Sequence, residues 1–182
     1  ELMELVNQVL EEINEVMGMV QEKQLKEAEN IIQKDRRIFV LGAGRSGLMA
    51  KGFAMRLMHI GYTVYVVGET ITPSIQSDDV LVSVSGSGKT GSVLELTQKA
   101  KADGVKIIAL TSNADSPLGK LGDATVVIPG ATKNGDGVKS IQLLSSLFDQ
   151  SVHITLDVLT LLLSRRDHVS NDSAKSTHSN ME

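Results

Sequence analysis

The 182 residues contain no cysteine and no tryptophan, only 3 prolines, and 3% aromatic residues. Without cysteine there can be no disulfide, no thiolate nucleophile and no cysteine-ligated zinc. So few rings leave no stacking platform for bases or sugars. A basic excess is missing too. Lys and Arg number 18 against 22 Asp and Glu, a formal net charge of −4, so the electrostatic footprint of a DNA or RNA partner is absent. No uninterrupted apolar run reaches the roughly 18 residues that a membrane span needs. The opening Glu1-Leu2-Met3-Glu4 lacks the charged-then-apolar pattern of a secretion signal. Neither nucleic acid nor membrane is therefore expected as a partner, and the expected address is cytoplasmic. The 4 histidines show no paired ligand spacing, so no metal is expected. What is present, 41% hydrophobic and 22% charged residues with 16 glycines, describes one ordinary globular domain, given roughly 100 to 200 residues per domain.

Leu2, Leu5, Val6, Val9, Leu10, Ile13, Val16, Met17 and Val20 recur at spacings of three and four, which predicts an amphipathic helix. After a break near Gly18 a second helical stretch runs from about Glu22 to Ile32. From Arg37 the pattern changes to short apolar runs: 38–41, 64–67, 80–84, 107–110 and 124–128. Such continuous, β-branched runs are strands covered on both faces, hence a parallel sheet between helical layers. Helices are expected at 48–60, 91–103, a shorter 117–121, and 140–164. The fold class is thus α/β, a three-layer sandwich with a five-stranded parallel sheet flanked by helices. Residues 1–34 form an N-terminal helical segment that packs on the domain or on an oligomer partner, 35–165 the domain proper, and 166–182 a polar tail expected to fray.

In an open parallel sheet, ligands collect beyond the carboxyl ends of the strands. Two glycine loops stand there. Gly42-Ala43-Gly44-Arg45-Ser46-Gly47 follows the first strand, and Ser85-Gly86-Ser87-Gly88-Lys89-Thr90 follows the third. Each runs into a helix and can present backbone N–H groups to an anion. The first fits G-x-G-x-x-G, with Glu69 standing 22 residues after Gly47, where a dinucleotide site places its ribose-binding acid. That reading leaves a second hydroxyl-rich loop unexplained. The second loop approaches the nucleotide-binding G-x-x-x-x-G-K-[ST], but the first glycine of that motif falls on Ser83, inside a strand. Three hydroxyls, two glycines and a helix start within one turn instead suit a single terminal phosphate.

Strand, S-G-S-G-x-T and helix, preceded by a glycine loop with a serine, resembles the sugar isomerase (SIS) domain, a phosphosugar-binding fold. Within it, the run from Gly42 to Lys51, then Phe53-Ala54-Met55-Arg56-Leu57-Met58-His59, then Val67-Gly68-Glu69-Thr70-Ile71-Thr72-Pro73, is similar to the 6-phospho-3-hexuloisomerase family. The resemblance spans roughly residues 30 to 165. It implies interconversion of 3-hexulose 6-phosphate and fructose 6-phosphate in the ribulose monophosphate route, downstream of a hexulose-6-phosphate synthase that fixes formaldehyde. It also implies a homo-oligomer, a tetramer or dimer, with sites near subunit interfaces, and no cofactor. Carried over residue by residue, it places substrate contacts on Ser46 and on Ser85, Gly86, Ser87, Gly88, Lys89 and Thr90, and a catalytic carboxylate on Asp149. The chain departs from the family pattern at four points: aspartate stands at 149 where relatives usually carry glutamate, Lys89 stands where they commonly carry glutamate, Leu143-Leu144-Ser145 replaces a proline-containing stretch, and the closing Thr177 to Glu182 resembles the family's His-rich end only loosely.

Moving a carbonyl from C3 to C2 requires loss of the C2 proton, an enediol, and reprotonation at C3. One base and donors to the carbonyl oxygen suffice. Asp149 is the candidate base. Arg45 can donate to phosphate or a sugar oxygen, Glu69 can hold a sugar hydroxyl or pair with Arg45, and Ser112 beyond the fourth strand is a further hydroxyl contact. His178 is a candidate proton carrier reaching a neighbouring subunit's site, whereas His59 reads as structural. The alternative is a non-catalytic sugar-phosphate-binding module.

Overall fold

The computed structural model describes residues 1–133 and 137–181. Part of the Gly130 to Lys139 loop thus lies outside the described residues. Two helices, α1 (Leu2–Met19) and α2 (Glu22–Ile31), precede β1 (Ile38–Gly42), α3 (Gly44–His59), β2 (Val64–Val66), β3 (Val80–Val84), α4 (Gly91–Ala102), β4 (Lys106–Thr111), β5 (Ala124–Val127), α5 (Ser146–Arg166) and α6 (Asn171–Thr177). A single 3-10 turn, Gly119–Leu121, stands where a short helix was expected.

The five strands pair in parallel in the order β2-β1-β3-β4-β5. Alternate residues face opposite sides. Ile38, Val40, Val80, Val82, Ile108, Leu110 and Val126 pack with Val16, Leu25, Phe53, Leu57, Phe148, Val152 and Leu159 from α1, α2, α3 and α5. Phe39, Leu41, Leu81, Ile107 and Ala109 point the other way, against Val93 and Ala100 of α4 and Leu118. Helices therefore cover both faces, which is why the strands read as unbroken apolar runs.

α5 is the core helix. Leu147, Phe148, Val152, Leu156, Leu159 and Leu163 are buried, each contributing about 1.5–3 kcal/mol of burial. By length and composition it is also the one described helix apolar enough to cross a membrane, but half of that stretch is buried within the domain. It begins at Ser146, not at Ser140. Leu144 takes φ +52°, a left-handed backbone conformation that a helix cannot contain. Within the tail, Asn171–Thr177 form a helix. Ser170 caps α6 by accepting the Ser173 N–H at 3.1 Å, and the helix rests on α3.

Candidate phosphosugar site

Order 2-1-3-4-5 reverses direction between β1 and β3, the place where such sheets open a crevice. The loops after those two strands meet there. In the first, Gly42 and Gly47 approach so closely that a Cβ on Gly42 would lie 2.9 Å from the Gly47 Cα. Only glycines allow α3 to start this tightly on the strand end. Its first turn carries Arg45 and Ser46 to the crevice. No side chain caps α3 or α4, which leaves their first N–H groups available to an anion.

The second loop is braced from below. The Gly86 carbonyl accepts the Ser112 N–H at 3.0 Å, the Ser112 hydroxyl at 2.6 Å and the Thr111 hydroxyl at 3.2 Å. Gly88 has φ +67°, and a Cβ there would collide with Ser116 at 2.1 Å. Ser85, buried, shares a hydrogen bond with Thr90 at 2.8 Å and accepts the Gly88 N–H at 3.1 Å. The Ser87 hydroxyl accepts the Lys89 N–H at 3.1 Å.

Between the loops lies a cavity of about 290 Å³, near the lower bound of roughly 300 Å³ for small-molecule sites. Arg45, Ser46, Gly86, Ser87 and Thr90 line it from the two glycine loops. Thr132, Lys133, Leu144 and Ser145 complete the wall. Thr132 is 5% exposed, and its Oγ1 has no partner among the described residues. A buried hydroxyl left this way costs stability unless something meets it.

Asp149 stands directly behind this wall, fully buried. The Ser46 hydroxyl donates to its Oδ1 at 2.6 Å and the Ser145 hydroxyl to its Oδ2 at 3.1 Å. Arg45 Nε lies 3.9 Å from Oδ2, while its Nη1 donates to Ser146 Oγ at 2.8 Å. The carboxylate is thus reached through Ser46 and Ser145, both on the cavity. The two serine hydroxyls and the adjacent guanidinium thus surround the buried carboxylate oxygens.

Of the residues singled out from the sequence, the structure brings Arg45, Ser46, Gly86, Ser87 and Thr90 to one cavity, with Asp149 one layer behind. Ser85, Gly88 and Ser112 shape the turn from beneath. Lys89 is exposed and off the lining. Glu69 pairs with Lys51 at 3.5 Å, away from the cavity. His178 meets His59, Nδ1 to Nε2 at 2.9 Å, at the last residue of α3. That is about 20 Å along the helix from Arg45 at 1.5 Å per residue. Thr132, Lys133, Leu144 and Ser145 are the residues that sequence reasoning missed. A second cavity of about 180 Å³ is lined mostly by apolar side chains such as Phe39, Leu41, Ile75 and Leu81, with Thr72, Lys99 and Asp103 also on its wall.

A family profile for the SIS domain matches residues 31–154. The chain belongs to the SIS domain family. It is 35% identical to the 3-hexulose-6-phosphate isomerase of Bacillus subtilis, with 98% of each chain covered. With that of Mycobacterium gastri the identity is 39%, over 96% of this chain and 88% of the relative. Among solved structures, a Methanococcus jannaschii protein whose structure infers a 3-hexulose-6-phosphate isomerase function superposes with TM-score 0.85 at 31% identity, covering 98% and 99% of the two chains. The phosphosugar fold that the glycine loops implied is the fold observed, an SIS-type five-stranded parallel sheet flanked by helices.

Proposed function

We propose that the chain is an isomerase interconverting 3-hexulose 6-phosphate and fructose 6-phosphate through an enediol. The observation that carries this reading is the pairing of a braced phosphate turn with a buried, hydrogen-bonded carboxylate across one 290 Å³ cavity. Relatives of matching length named for this reaction support it.

In this reading the substrate phosphate lies on the Ser87 to Thr90 turn, facing the start of α4, where N–H groups and the helix dipole favour a dianion. The sugar chain runs across the cavity toward Ser46. Arg45 and Ser46 donate to the carbonyl oxygen as negative charge grows on it. Asp149 removes the proton from C2 and returns it at C3, while the hydroxyl proton on O2 passes to O3, so the 2,3-enediol forms and collapses without net gain or loss of protons or electrons. The Ser46 hydroxyl, lying between carboxylate and cavity, turns from Asp149 toward the substrate oxygen and opens the line to carbon.

The reaction belongs in the ribulose monophosphate route, its substrate coming from a synthase that joins formaldehyde to ribulose 5-phosphate. A phosphorylated substrate of this kind is held in the cytoplasm. A homo-oligomer is part of the same reading, supported by Leu2, Met3, Leu5, Val6 and Leu10 exposed along α1. Any role of His178 in turnover requires the cavity of a second copy, since its own lies at the far end of α3. One observation favours the second reading, a binding module without turnover: Asp149 is wholly covered.

The test is fructose 6-phosphate formation by the purified protein, fed with 3-hexulose 6-phosphate generated in place by a separate synthase. Rapid protein-dependent product is expected. Saturable binding of fructose 6-phosphate without turnover would select the binding module.

A further inference from the structure

The cavity wall opposite the phosphate turn is held by a residue outside the matched family region of 31–154. Residues 140–145 form a strap leading into α5. At its start, Glu12 of α1 accepts the Ser140 hydroxyl at 2.5 Å on Oε1 and 3.2 Å on Oε2. The Ile141 N–H lies 3.1 Å from both oxygens. A charged acceptor shared by two donors makes stronger bonds than a neutral one. In the middle, Gln142 and Gln150 exchange two side-chain amide bonds at 2.7 Å each. At its end, Ser145 lines the cavity and donates to Asp149.

Leu144, between these anchors, holds φ +52° with its side chain 72% exposed. A leucine persists in that conformation only where its surroundings over-determine it. No burial of its own side chain repays the strain, so the anchors must. Loss of the Glu12 anchor frees the strap at its start and lets Leu144 relax, and the relaxation moves Ser145.

We infer that Glu12 is a positioning residue of the isomerase site, acting through Ser140 and the strap on Ser145 and so on the Asp149 carboxylate. The inference rests on the proposed reaction. The phosphate turn is braced independently, by Thr111 and Ser112 on the Gly86 carbonyl. Loss of the clamp therefore acts on turnover and leaves phosphate affinity nearly intact.

Glu12→Gln, with the exposed neighbour Glu11→Gln as control, tests this in the full chain by steady-state kinetics and by amide hydrogen exchange. A fall in kcat of about tenfold is expected for Glu12→Gln, since small misplacements of a catalytic group are costly, with KM changed by less than about twofold. Exchange at residues 141–149 should accelerate about tenfold or more while the rest of the domain keeps its protection. Ser140→Ala should reproduce the effect, and the double variant should be no worse than either single one, as for residues acting in one chain. If Glu12→Gln matches Glu11→Gln in both readouts, the inference is wrong. Faster exchange with unchanged kcat also overturns it, because Glu12 then only braces the fold. A wild-type protein with no turnover refutes the reaction instead. Exchange at 141–149 then still decides whether Glu12 holds the strap.

Discussion

The two ends of α5 carry polar clusters of similar composition, an arginine, an aspartate and hydroxyl groups, about 27 Å apart at 1.5 Å per residue. At the C-terminal end Arg166 donates to the carbonyls of Glu29 at 2.6 Å and Ile32 at 2.7 Å, to the Tyr62 hydroxyl at 2.8 Å, and to Asp167 at 2.9 Å. Tyr62 donates in turn to Asp167. Burial and the bond to Asp167 push the Tyr62 phenol above its ordinary range. Burial also works against the charged Asp167, but hydrogen bonds from Arg166 and Tyr62 outweigh it and hold the carboxyl below its usual value. That cluster turns its donors onto the protein itself and ties α2 and the start of β2 to α5. At the N-terminal end Arg45 is half exposed, and Ser46, Ser145 and the Thr132 hydroxyl, which has no partner among the described residues, adjoin a cavity. A polar network closed on itself is architecture, whereas one whose members face open space is prepared for a ligand.

The comparison breaks if both ends respond alike to mutation. Asp149→Asn carries the largest expected effect, a fall in kcat of roughly 10² to 10⁴-fold. Its melting temperature should stay within a few degrees, because the Ser46 and Ser145 hydroxyls can rotate to accept from the new amide. Turnover within tenfold of wild type would remove Asp149 from the mechanism. Arg166→Ala should do the reverse. It strands two carbonyls and Asp167, and partial exposure of the side chains, 26% and 16%, tempers the cost to about 2–3 kcal/mol. At about 2–4 °C per kcal/mol for a chain of this size, melting should fall by roughly 5–10 °C. The kcat measured well below that temperature should be unchanged.

Acid sharpens the same contrast. The folded protein holds the Asp167 carboxyl below its ordinary value, so its contribution to stability is complete above the unfolded value, near pH 4, and disappears as pH falls through the folded one. Asp167→Asn should therefore be less stable at neutral pH and lose less on acidification below about pH 4. Denaturant unfolding at a series of pH values reads this directly. An acid limb as steep as the wild-type one would place the titrating group elsewhere.

The part of this contrast that could be read from sequence is the part made of contiguous residues. Strands buried on both faces announce themselves as Ile38 to Leu41 and Val80 to Val84, and the glycine loops are local, so the turn proposed to hold phosphate is legible in the sequence. Asp149 was found only through resemblance, since an acid in an amphipathic helix has no signature of its own. Ser145, Thr132 and Lys133 were missed because packing of α5 against the strand ends brings them to the crevice. The start of α5 was set too early because the strap is fixed by Glu12, 128 residues before Ser140 in the chain. Ser85 and Ser112 carry the hydroxyls expected at a phosphate, yet the turn consumes them. Sequence shows which residues can donate, while the fold decides what they donate to.

The smaller predictions refine what faces the cavity. Thr132→Val keeps shape and deletes a buried hydroxyl that has no partner among the described residues. Stability should hold or rise by up to about 1 kcal/mol, while KM rises several-fold if ligand or its bound water meets that hydroxyl. An unchanged KM would make Thr132 part of the packing around Gly86, whose Cβ position lies 3.0 Å from Thr132 Cγ2.

Glu69→Gln should do least. Glu69 and Lys51 are each about half exposed and 3.5 Å apart, and such surface pairs contribute at most about 1 kcal/mol and often nothing. Both kcat and KM should remain within about twofold of wild type, and melting within about 2 °C. The residue sits beyond β2, the edge strand that pairs with β1. A KM raised tenfold or more by Glu69→Gln, with melting unchanged, would place Glu69 among the groups that bind the substrate. That result would extend the ligand-facing network from the start of α5 across β1, and leave the Arg166 cluster as the fixed end against which it works.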